Sequence, residues 1–272
     1  MKIIVPIRPR SFVEYYSLVE KINNRAHFIE VWLDQLEHES FFDTMDQILP
    51  PSCKLIGCCK MDNEGGEFGG SEKDRVKILR DFLDAGGNFV DLNITTNSAE
   101  NIRKIPSKNL ILSFHDFYKV PENLSEIFEY MKIFSPSVYK FSVTTNNEDS
   151  LEKFLTFVKN FSSDEKIIFS TMGNLGTTGR AKIQEMQKSW AEFVAVDSLH
   201  QTAPGQRTLD SFPFGINELV SPSIKIVFSF SGSFQKKLFD ILLLFILNYR
   251  ILKLYFLFSF YGKIQTGLRV GK

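Results

Sequence analysis

Residues 138–172 read VYKFSVTTNNEDSLEKFLTFVKNFSSDEKIIFSTM, two short apolar runs on either side of a longer mixed stretch. Within the mixed stretch, apolar residues recur at the spacing of one helical face, namely Leu151, Phe154, Leu155 and Val158. The turn Thr145-Asn146-Asn147 supplies capping residues just before this stretch. The segment therefore predicts a strand, a helix and a second strand, which together form a parallel βαβ unit.

The same alternation extends over the first 210 residues, where short apolar runs are each followed by a longer polar or amphipathic stretch. The eight runs are Ile3–Ile7, Phe28–Leu33, Lys54–Cys59, Phe89–Ile94, Leu110–Phe114, Val138–Val143, Ile167–Met172 and Phe193–Asp197. Eight such units predict an α/β fold, a closed (β/α)8 TIM barrel that forms one domain over residues 1–212. An open doubly wound sheet is the alternative, and it is disfavoured because no Gly-x-Gly-x-x-Gly motif follows the first run.

The composition of the 272-residue chain excludes several classes of protein. It is 43% hydrophobic and 24% charged, which is typical of a globular domain. Its 32 Lys and Arg residues balance 32 Asp and Glu residues, so it lacks the electrostatic footprint of a nucleic-acid-binding protein. Three cysteines make a poor disulfide framework and indicate a reducing, cytoplasmic location. Cys58-Cys59 has no second pair with which to bind zinc, and no metal is expected.

Residues 213–272 differ in character from the rest of the chain. From Ser211 onward, eight Lys and Arg residues outnumber Glu218 and Asp240. Charges also interrupt the apolar runs before they reach the roughly 18 residues that a transmembrane helix needs. The segment is predicted to be an atypical hydrophobic extension, made of a replacement eighth helix and an amphipathic tail. An aberrant terminus and a membrane-contacting segment are the alternatives.

In a (β/α)8 barrel, catalytic groups collect at the carboxyl ends of the strands. Here those ends carry an unusual density of polar and ionisable residues: Glu30, Trp32, Asp34, Lys60, Glu64, Asp91, Asn93, His115, Asp116, Lys140, Asn174, Thr202 and Gln206. Lys140 lies inside an apolar run, between Tyr139 and Phe141. If its side chain faces the barrel interior, burial lowers its pKa, and the neutral amine can attack a carbonyl carbon to form an imine. If it faces outward, as a lone lysine more often does, its stem lies along a helix and its head reaches solvent.

Three further residues suggest acid–base chemistry and anion binding. His115 closes the preceding run, and an ordinary histidine titrates near pH 6.5, so it can both take and return a proton; the alternative is a capping or core histidine. Glu64 precedes Gly65-Gly66 and can orient an imidazole and raise its basicity, or it is a solvated loop residue. Arg180 lies near the start of a predicted helix and can bind a carboxylate or phosphate there, or it is an exposed arginine.

These residues belong to motifs that occur in a fixed order along the first 210 residues. The segments are Ile29–Asp34 (IEVWLD), Lys60–Glu67 (KMDNEGGE), Ser113–Glu122 (SFHDFYKVPE), Lys140, Met172–Arg180 (MGNLGTTGR) and Ala203–Gln206 (APGQ). In their order and near-family spacing, they resemble the type I 3-dehydroquinate dehydratases, the Schiff-base enzymes of the shikimate pathway and hence of chorismate and aromatic amino acid biosynthesis. The resemblance implies a (β/α)8 barrel and a hydro-lyase.

The resemblance also implies a role for each matched position. Lys140 matches the imine-forming lysine, His115 the general base and acid, and Glu64 the carboxylate that supports the histidine. The remaining matched positions contact the substrate: Arg180, Gln206 and Thr202 at its carboxylate, and Glu30, Lys60 and Trp32 at its ring hydroxyls. Lys60 and Trp32 depart from the family motif, which has an arginine at each position. The resemblance implies that the substrate is a small molecule, 3-dehydroquinate, and that no cofactor is needed. It also implies that the chain can assemble as a homodimer.

Two other functions are weighed against the dehydratase. One is a different lysine-imine barrel, such as a class I aldolase acting on another hydroxy-ketone, which the Ala-Pro-Gly-Gln loop disfavours. The other is a catalytically impaired barrel that serves as a binding module. Trp32 and the unusual C-terminal segment favour this second alternative, and the joint presence of Lys140, His115 and Glu64 disfavours it.

Overall fold

The structure is a computed structural model that describes residues 1–46, 49, 53–162 and 164–212. The extension predicted at residues 213–272, its boundary at residue 212 and its membrane-contacting alternative fall outside the described residues, so they stay predictions. No helix in the described part of the chain combines the length and the apolar character that crossing a membrane requires.

Eight parallel strands alternate with helices, as the sequence predicts. The strands are β1 Lys2–Ile7, β2 Phe28–Trp32, β3 Lys54–Cys58, β4 Phe89–Asn93, β5 Leu110–Asp116, β6 Val138–Thr144, β7 Ile167–Met172 and β8 Ala191–Phe193. The α-helices in the described residues are α1 Phe12–Ile22, α2 His38–Phe42, α3 Glu72–Asp84, α4 Ala99–Ile102, α5 Leu124–Lys132, α6 Glu148–Lys159 and α7 Gly176–Glu185. The prediction of a (β/α)8 barrel is confirmed.

The sheet closes almost completely on itself. Each strand from β1 to β7 pairs in parallel with its neighbour in sequence, and β8 pairs with β1, where Ile4 lies opposite Phe193. Trp190 links the two ends of the sheet, since its N–H donates to the Ile167 carbonyl at 2.8 Å and its own carbonyl accepts from Lys2 N at 3.0 Å. The open-sheet alternative is therefore wrong.

Helix α6 shows how the sequence produces these units. The Asn147 side chain accepts a hydrogen bond from Ser150 N at 2.9 Å and so caps the helix, as the turn chemistry predicts. The helix buries one face against the sheet with Leu151, Phe154, Leu155, Phe157 and Val158. Four of these five residues are the ones whose helical spacing predicted the helix.

The last strand differs from its prediction. The sequence places the eighth strand at Phe193–Asp197, whereas β8 covers Ala191–Phe193 and ends where the predicted run begins. Residues 194–196 are still buried. Val194 N makes the last hydrogen bond to β1, at 2.9 Å from the Ile4 carbonyl, and Ala195 N then donates to the Arg207 carbonyl at 2.8 Å. Burial therefore continues past the end of strand pairing, and an apolar run alone does not mark where pairing stops.

The barrel interior changes from apolar to polar along its axis. Its amino end is filled by buried side chains from seven strands, namely Ile4, Phe28, Ile56, Ile111, Val138, Ile168, Ala191 and Phe193. Toward the carboxyl ends of the strands, the buried residues include Glu30, Asp91, Ser113 and Lys140. An apolar floor therefore supports a group of buried polar side chains, at the end of the barrel where catalytic groups are found.

Candidate active site

Two lysines share one buried carboxylate at the centre of the polar region. Lys140, on β6, is 5% exposed, and its Nζ lies 2.7 Å from Oδ2 of Asp91 on β4. Lys60, which follows β3, places its Nζ 3.3 Å from the other oxygen, Oδ1, which also accepts a 2.5 Å hydrogen bond from Ser113 Oγ. The Lys140 side chain therefore points into the barrel, and the outward alternative is wrong.

Charges within this cluster balance one another. Burial opposes ionisation of Asp91, but the attraction of the Lys140 and Lys60 ammonium groups outweighs it and holds the pKa of Asp91 well below its usual range. Burial likewise opposes the charge on Lys60, and the Asp91 carboxylate more than compensates, so the pKa of Lys60 is raised. Glu30 lies 3.8 Å from Lys140 Nζ, and its pKa is raised by burial because Lys140 compensates only in part.

His115 stands at the end of β5, one strand before Lys140. Its partly buried ring lies nearly parallel to that of Phe117, with the ring centroids 5.9 Å apart. Burial lowers the pKa of His115 well below 6.5, and the positive charges of Lys140 and Lys60 lower it further. The imidazole is therefore neutral at pH 7, the form in which it can accept a proton.

The sequence suggests that Glu64 supports His115, but the carboxylate of Glu64 has other partners. Its Oε2 lies 2.5 Å from the Arg75 guanidinium and accepts from Met61 N at 3.2 Å, and its Oε1 accepts from Thr96 Oγ1 at 2.8 Å. None of the hydrogen bonds among the described residues joins it to His115, although both side chains line the same pocket. Arg75 is 1% exposed and lies on α3, so it connects the loops after β3 and β4.

The glycines after Glu64 allow this loop to fold tightly. Gly65 has a φ of 78°, a left-handed conformation that side chains other than glycine rarely adopt. A Cβ atom on Gly66 would lie 2.1 Å from the Lys60 carbonyl oxygen. Only glycine therefore fits beside the backbone of Lys60, and this close approach sets where both Lys60 and Glu64 enter the site.

Arg180 provides a buried positive charge on the opposite side of the pocket. Its Nε donates to the Thr171 carbonyl at 3.1 Å and one terminal nitrogen donates to the Phe193 carbonyl at 3.2 Å. Burial lowers its pKa to about 10, so it still carries a proton at pH 7. None of the ion pairs between described side chains involves Arg180, which leaves its charge available to an anion.

The loop after β8 places Gln206 beside Thr202. The Gln206 Oε1 accepts hydrogen bonds from Thr202 N at 2.9 Å and from Thr202 Oγ1 at 3.3 Å. This fixes the orientation of the amide and leaves its NH2 group as a donor. Gly205, at φ 78°, packs against Gly176 at the start of α7 and so brings this loop next to the helix that carries Arg180.

One pocket collects all nine residues that the sequence assigned to the site. They are Glu30, Trp32, Lys60, Glu64, His115, Lys140, Arg180, Thr202 and Gln206. Three buried polar atoms of the lining, Glu30 Oε2, Trp32 Nε1 and Ser170 Oγ, have no hydrogen-bond partner. Because buried polar groups normally have a hydrogen-bond partner, these atoms are available to a polar group that enters the pocket.

Three residues that shape this site have no role in the sequence-based prediction. Asp91 stands there only among the polar strand ends, and its signal is a carboxylate within the apolar run Phe89–Ile94. Arg75 resembles any helix-surface arginine in the sequence, and nothing there predicts its burial. The Arg8 guanidinium lies 3.5 Å from the centre of the Trp32 ring, a contact that no local pattern indicates.

Comparison with known proteins places this chain in a family. The family model for type I 3-dehydroquinase matches residues 3–212. The 3-dehydroquinate dehydratase of Streptococcus thermophilus is 27% identical over 215 residues, which cover 77% of this chain and 94% of that protein. The corresponding protein of Streptococcus pneumoniae is 25% identical over 217 residues, or 78% of this chain and 95% of that protein.

Solved structures agree with the observed fold. The 3-dehydroquinate dehydratase from Geobacillus kaustophilus superposes with a TM-score of 0.69 at 17% identity, over 81% of this chain and 90% of that chain. The type I enzyme from Clostridium difficile, solved with covalently modified comenic acid, gives 0.65 at 22% identity, over 80% and 90%. At these identities, the similarity to solved structures shows only the barrel fold. The family is shown by the family model for type I 3-dehydroquinase, which matches residues 3–212. This chain belongs to the type I 3-dehydroquinases, a family of hydro-lyases.

Proposed function

We propose that this chain is a 3-dehydroquinate dehydratase that acts through an imine on Lys140. The observation that carries the proposal is the position of Lys140: a buried amine that lines the pocket beside a histidine kept neutral at pH 7. A buried amine and a neutral imidazole are the two groups needed to form an imine and to remove a proton from the carbon next to it.

The first step is condensation at the ketone. The Lys140 amine, after losing a proton, attacks C3 of 3-dehydroquinate, and one water molecule leaves as the C=N bond forms. Asp91, at 2.7 Å from Nζ, keeps the side chain directed inward and supplies the negative charge that balances the protonated imine. This charge favours the imine because a cation in a buried site is stabilised by a nearby anion.

The second step is elimination. The protonated imine withdraws electrons and makes the C2 proton acidic, so the neutral His115 imidazole removes it. The resulting imidazolium returns a proton to the C1 hydroxyl, and that hydroxyl leaves as water while the C1–C2 double bond forms. Hydrolysis of the imine then consumes the water released in the first step and frees 3-dehydroshikimate and Lys140. The net reaction is the loss of one water molecule.

Substrate orientation follows from the two ends of the pocket. Arg180, buried and without a carboxylate partner among the described residues, is the group we assign to the substrate carboxylate, together with the Gln206 NH2 and Thr202. Glu30, whose Oε2 has no hydrogen-bond partner, and Lys60 are assigned to the ring hydroxyls. Trp32 takes the position at which the family motif has an arginine.

Three free cysteines fit a reducing cytoplasm, which we propose as the location.

The test is borohydride trapping, with Lys60 as the built-in control. Reduction in the presence of 3-dehydroquinate should leave an adduct at Lys140, with the mass of the reduced substrate imine or of the product imine that lacks one water, as located by peptide mapping. Lys140→Ala should abolish the adduct, whereas Lys60→Ala should retain it, although both lysines contact the same carboxylate. An adduct at Lys60, or none at saturating substrate, refutes the imine mechanism. An adduct without turnover refutes the dehydratase and leaves the impaired-barrel alternative.

A further inference from the structure

Arg8 does not line the pocket, but it contacts two residues that do, Trp32 and Thr202. It follows β1 directly, and its guanidinium carbon lies 3.5 Å from the centre of the Trp32 ring on β2. On the other side, a terminal nitrogen of Arg8 donates to the Thr202 carbonyl in the loop after β8, at a long 3.4 Å. Strand β1 lies between β8 and β2. Arg8, at the carboxyl end of β1, can therefore contact both Trp32 on β2 and the loop after β8.

Trp32 separates the pocket from a second cavity. The indole is 7% exposed and lines both spaces. Most other residues that line the second cavity are charged or polar, and they include Arg8 and Arg10. The indole N–H is close enough to the Glu30 carboxylate to favour its charged form, but it makes no hydrogen bond of ordinary geometry. The position of the indole therefore depends on packing, on this polar contact and on the attraction between the ring and the Arg8 cation.

Arg10 has the same charge and a similar location but different contacts. Its Nε donates to Gln35 Oε1 at 2.8 Å, and a terminal nitrogen lies 3.4 Å from Glu67 in an exposed ion pair. Arg10 lines the second cavity but is not stacked on Trp32, and it does not reach the loop after β8. It is therefore a matched control for Arg8.

We propose that Arg8 is a positioning residue that holds the Trp32 indole and the Thr202 loop together, and that it thereby sets the affinity for substrate. The inference rests on the proposed function for its kinetic readout. Removing the guanidinium frees the indole to rotate into either cavity and releases the loop that carries Gln206. The reacting groups Lys140 and His115 do not contact Arg8, so binding changes and chemistry does not.

Steady-state kinetics tests the proposal with Arg8→Met, Arg8→Lys and Arg10→Met. Loss of a cation–π contact should raise KM for 3-dehydroquinate by about 2- to 30-fold in Arg8→Met, with kcat within about 2-fold. Arg8→Lys should recover part of the loss, because an ammonium over the indole is still attracted to it. Arg10→Met should have the wild-type KM. An unchanged KM in Arg8→Met overturns the proposal.

A second substitution separates positioning from direct substrate binding. In a Trp32→Leu background, Arg8→Met should raise KM by a smaller factor than it does in the wild type, because effects that pass through one contact are not additive. The same factor in both backgrounds overturns the proposal, since Arg8 would then act independently of the indole.

Tryptophan fluorescence tests the contact without relying on activity. The chain has two tryptophans, so Trp190→Phe leaves Trp32 as the single indole. In this background, acrylamide should quench Trp32 fluorescence more strongly when Arg8→Met is added, because the substitution uncovers one face of the ring. Adding Arg10→Met should leave the quenching unchanged. Equal quenching in all three proteins overturns the proposal. A wild-type chain inactive on 3-dehydroquinate refutes the proposed function instead, and the quenching comparison still decides the Arg8 contact.

Discussion

Asp91 is the anion that keeps two buried lysines in place, and Asp91→Asn should therefore destabilise the fold strongly. Its oxygens lie 2.7 Å from Lys140 Nζ and 3.3 Å from Lys60 Nζ. At an effective dielectric constant of about 20, these distances correspond to roughly 6 and 5 kcal/mol of attraction. Desolvation of the carboxylate offsets much of that gain, and breaking a buried pair typically costs about 3–5 kcal/mol. We expect a loss of this size at pH 7.

The matched control is Asp81→Asn on the surface of α3. Asp81 also pairs with a lysine at short range, 2.6 Å from Lys77 Nζ, but the two side chains are 42% and 75% exposed. Exposed pairs are screened by water, so the control should lose less than about 1 kcal/mol. Urea unfolding followed by circular dichroism measures both losses. Equal losses in the two variants would refute the argument from buried charge.

The effect of Asp91→Asn should also depend on pH in a defined direction. The pKa of Asp91 in the folded state lies well below its usual range. Its contribution to stability is therefore complete above the ordinary carboxyl pKa of about 3.9 and is lost progressively as the pH falls below it. Repeating the unfolding at pH 3 should reduce the difference between wild type and Asp91→Asn by about 1 kcal/mol. A difference that grows at low pH would contradict this assignment.

Three further outcomes are expected. His115→Ala should lower kcat by about 10²–10⁴-fold while borohydride still traps substrate on Lys140; near-normal turnover would remove the imidazole from the mechanism. Because burial and nearby positive charge lower the pKa of His115, the acid limb of kcat/KM should lie below pH 6.5, and a limb at or above that value would contradict it. Gly66→Ala should raise KM and lower the melting temperature because its Cβ would meet the Lys60 carbonyl at 2.1 Å, whereas Gly69→Ala, with nothing within 4 Å, should change neither.

Most of the fold could be predicted because its determinants are local. The helical spacing in α6 and the capping by Asn147 are properties of neighbouring residues, and both appear in the structure as predicted. The end of β8 is not set locally: β8 ends at Phe193, and after the Val194 N bond to Ile4 the backbone changes partner, so that Ala195 bonds to the segment around Arg207. A run of apolar residues does not show whether its members are buried within a paired strand or beyond the end of strand pairing.

The lining of the candidate pocket could be predicted as a set of residues, but the contacts among those residues could not. All nine assigned residues line one pocket, because the ends of parallel strands meet at one end of a barrel. Which charge pairs with which depends on side-chain direction and on competition between partners. Glu64 bonds to Arg75 rather than His115, and Lys140 to Asp91. In each case the partner comes from a different element, so no spacing in the sequence indicates it.

The pairing of β8 with β1 has a consequence for how the chain folds. It joins Ile4 to Phe193, which lie at nearly opposite ends of the barrel sequence. Closing so long a loop has a large entropic cost, and structures dominated by distant contacts fold slowly. The loop that carries Thr202 and Gln206 follows β8, while Arg8 and Trp32 belong to the first two units. A nascent chain therefore lacks part of the pocket lining until its last strand has been made and paired. If the pocket binds substrate as proposed, the recovery of substrate binding on refolding reports closure of the whole barrel.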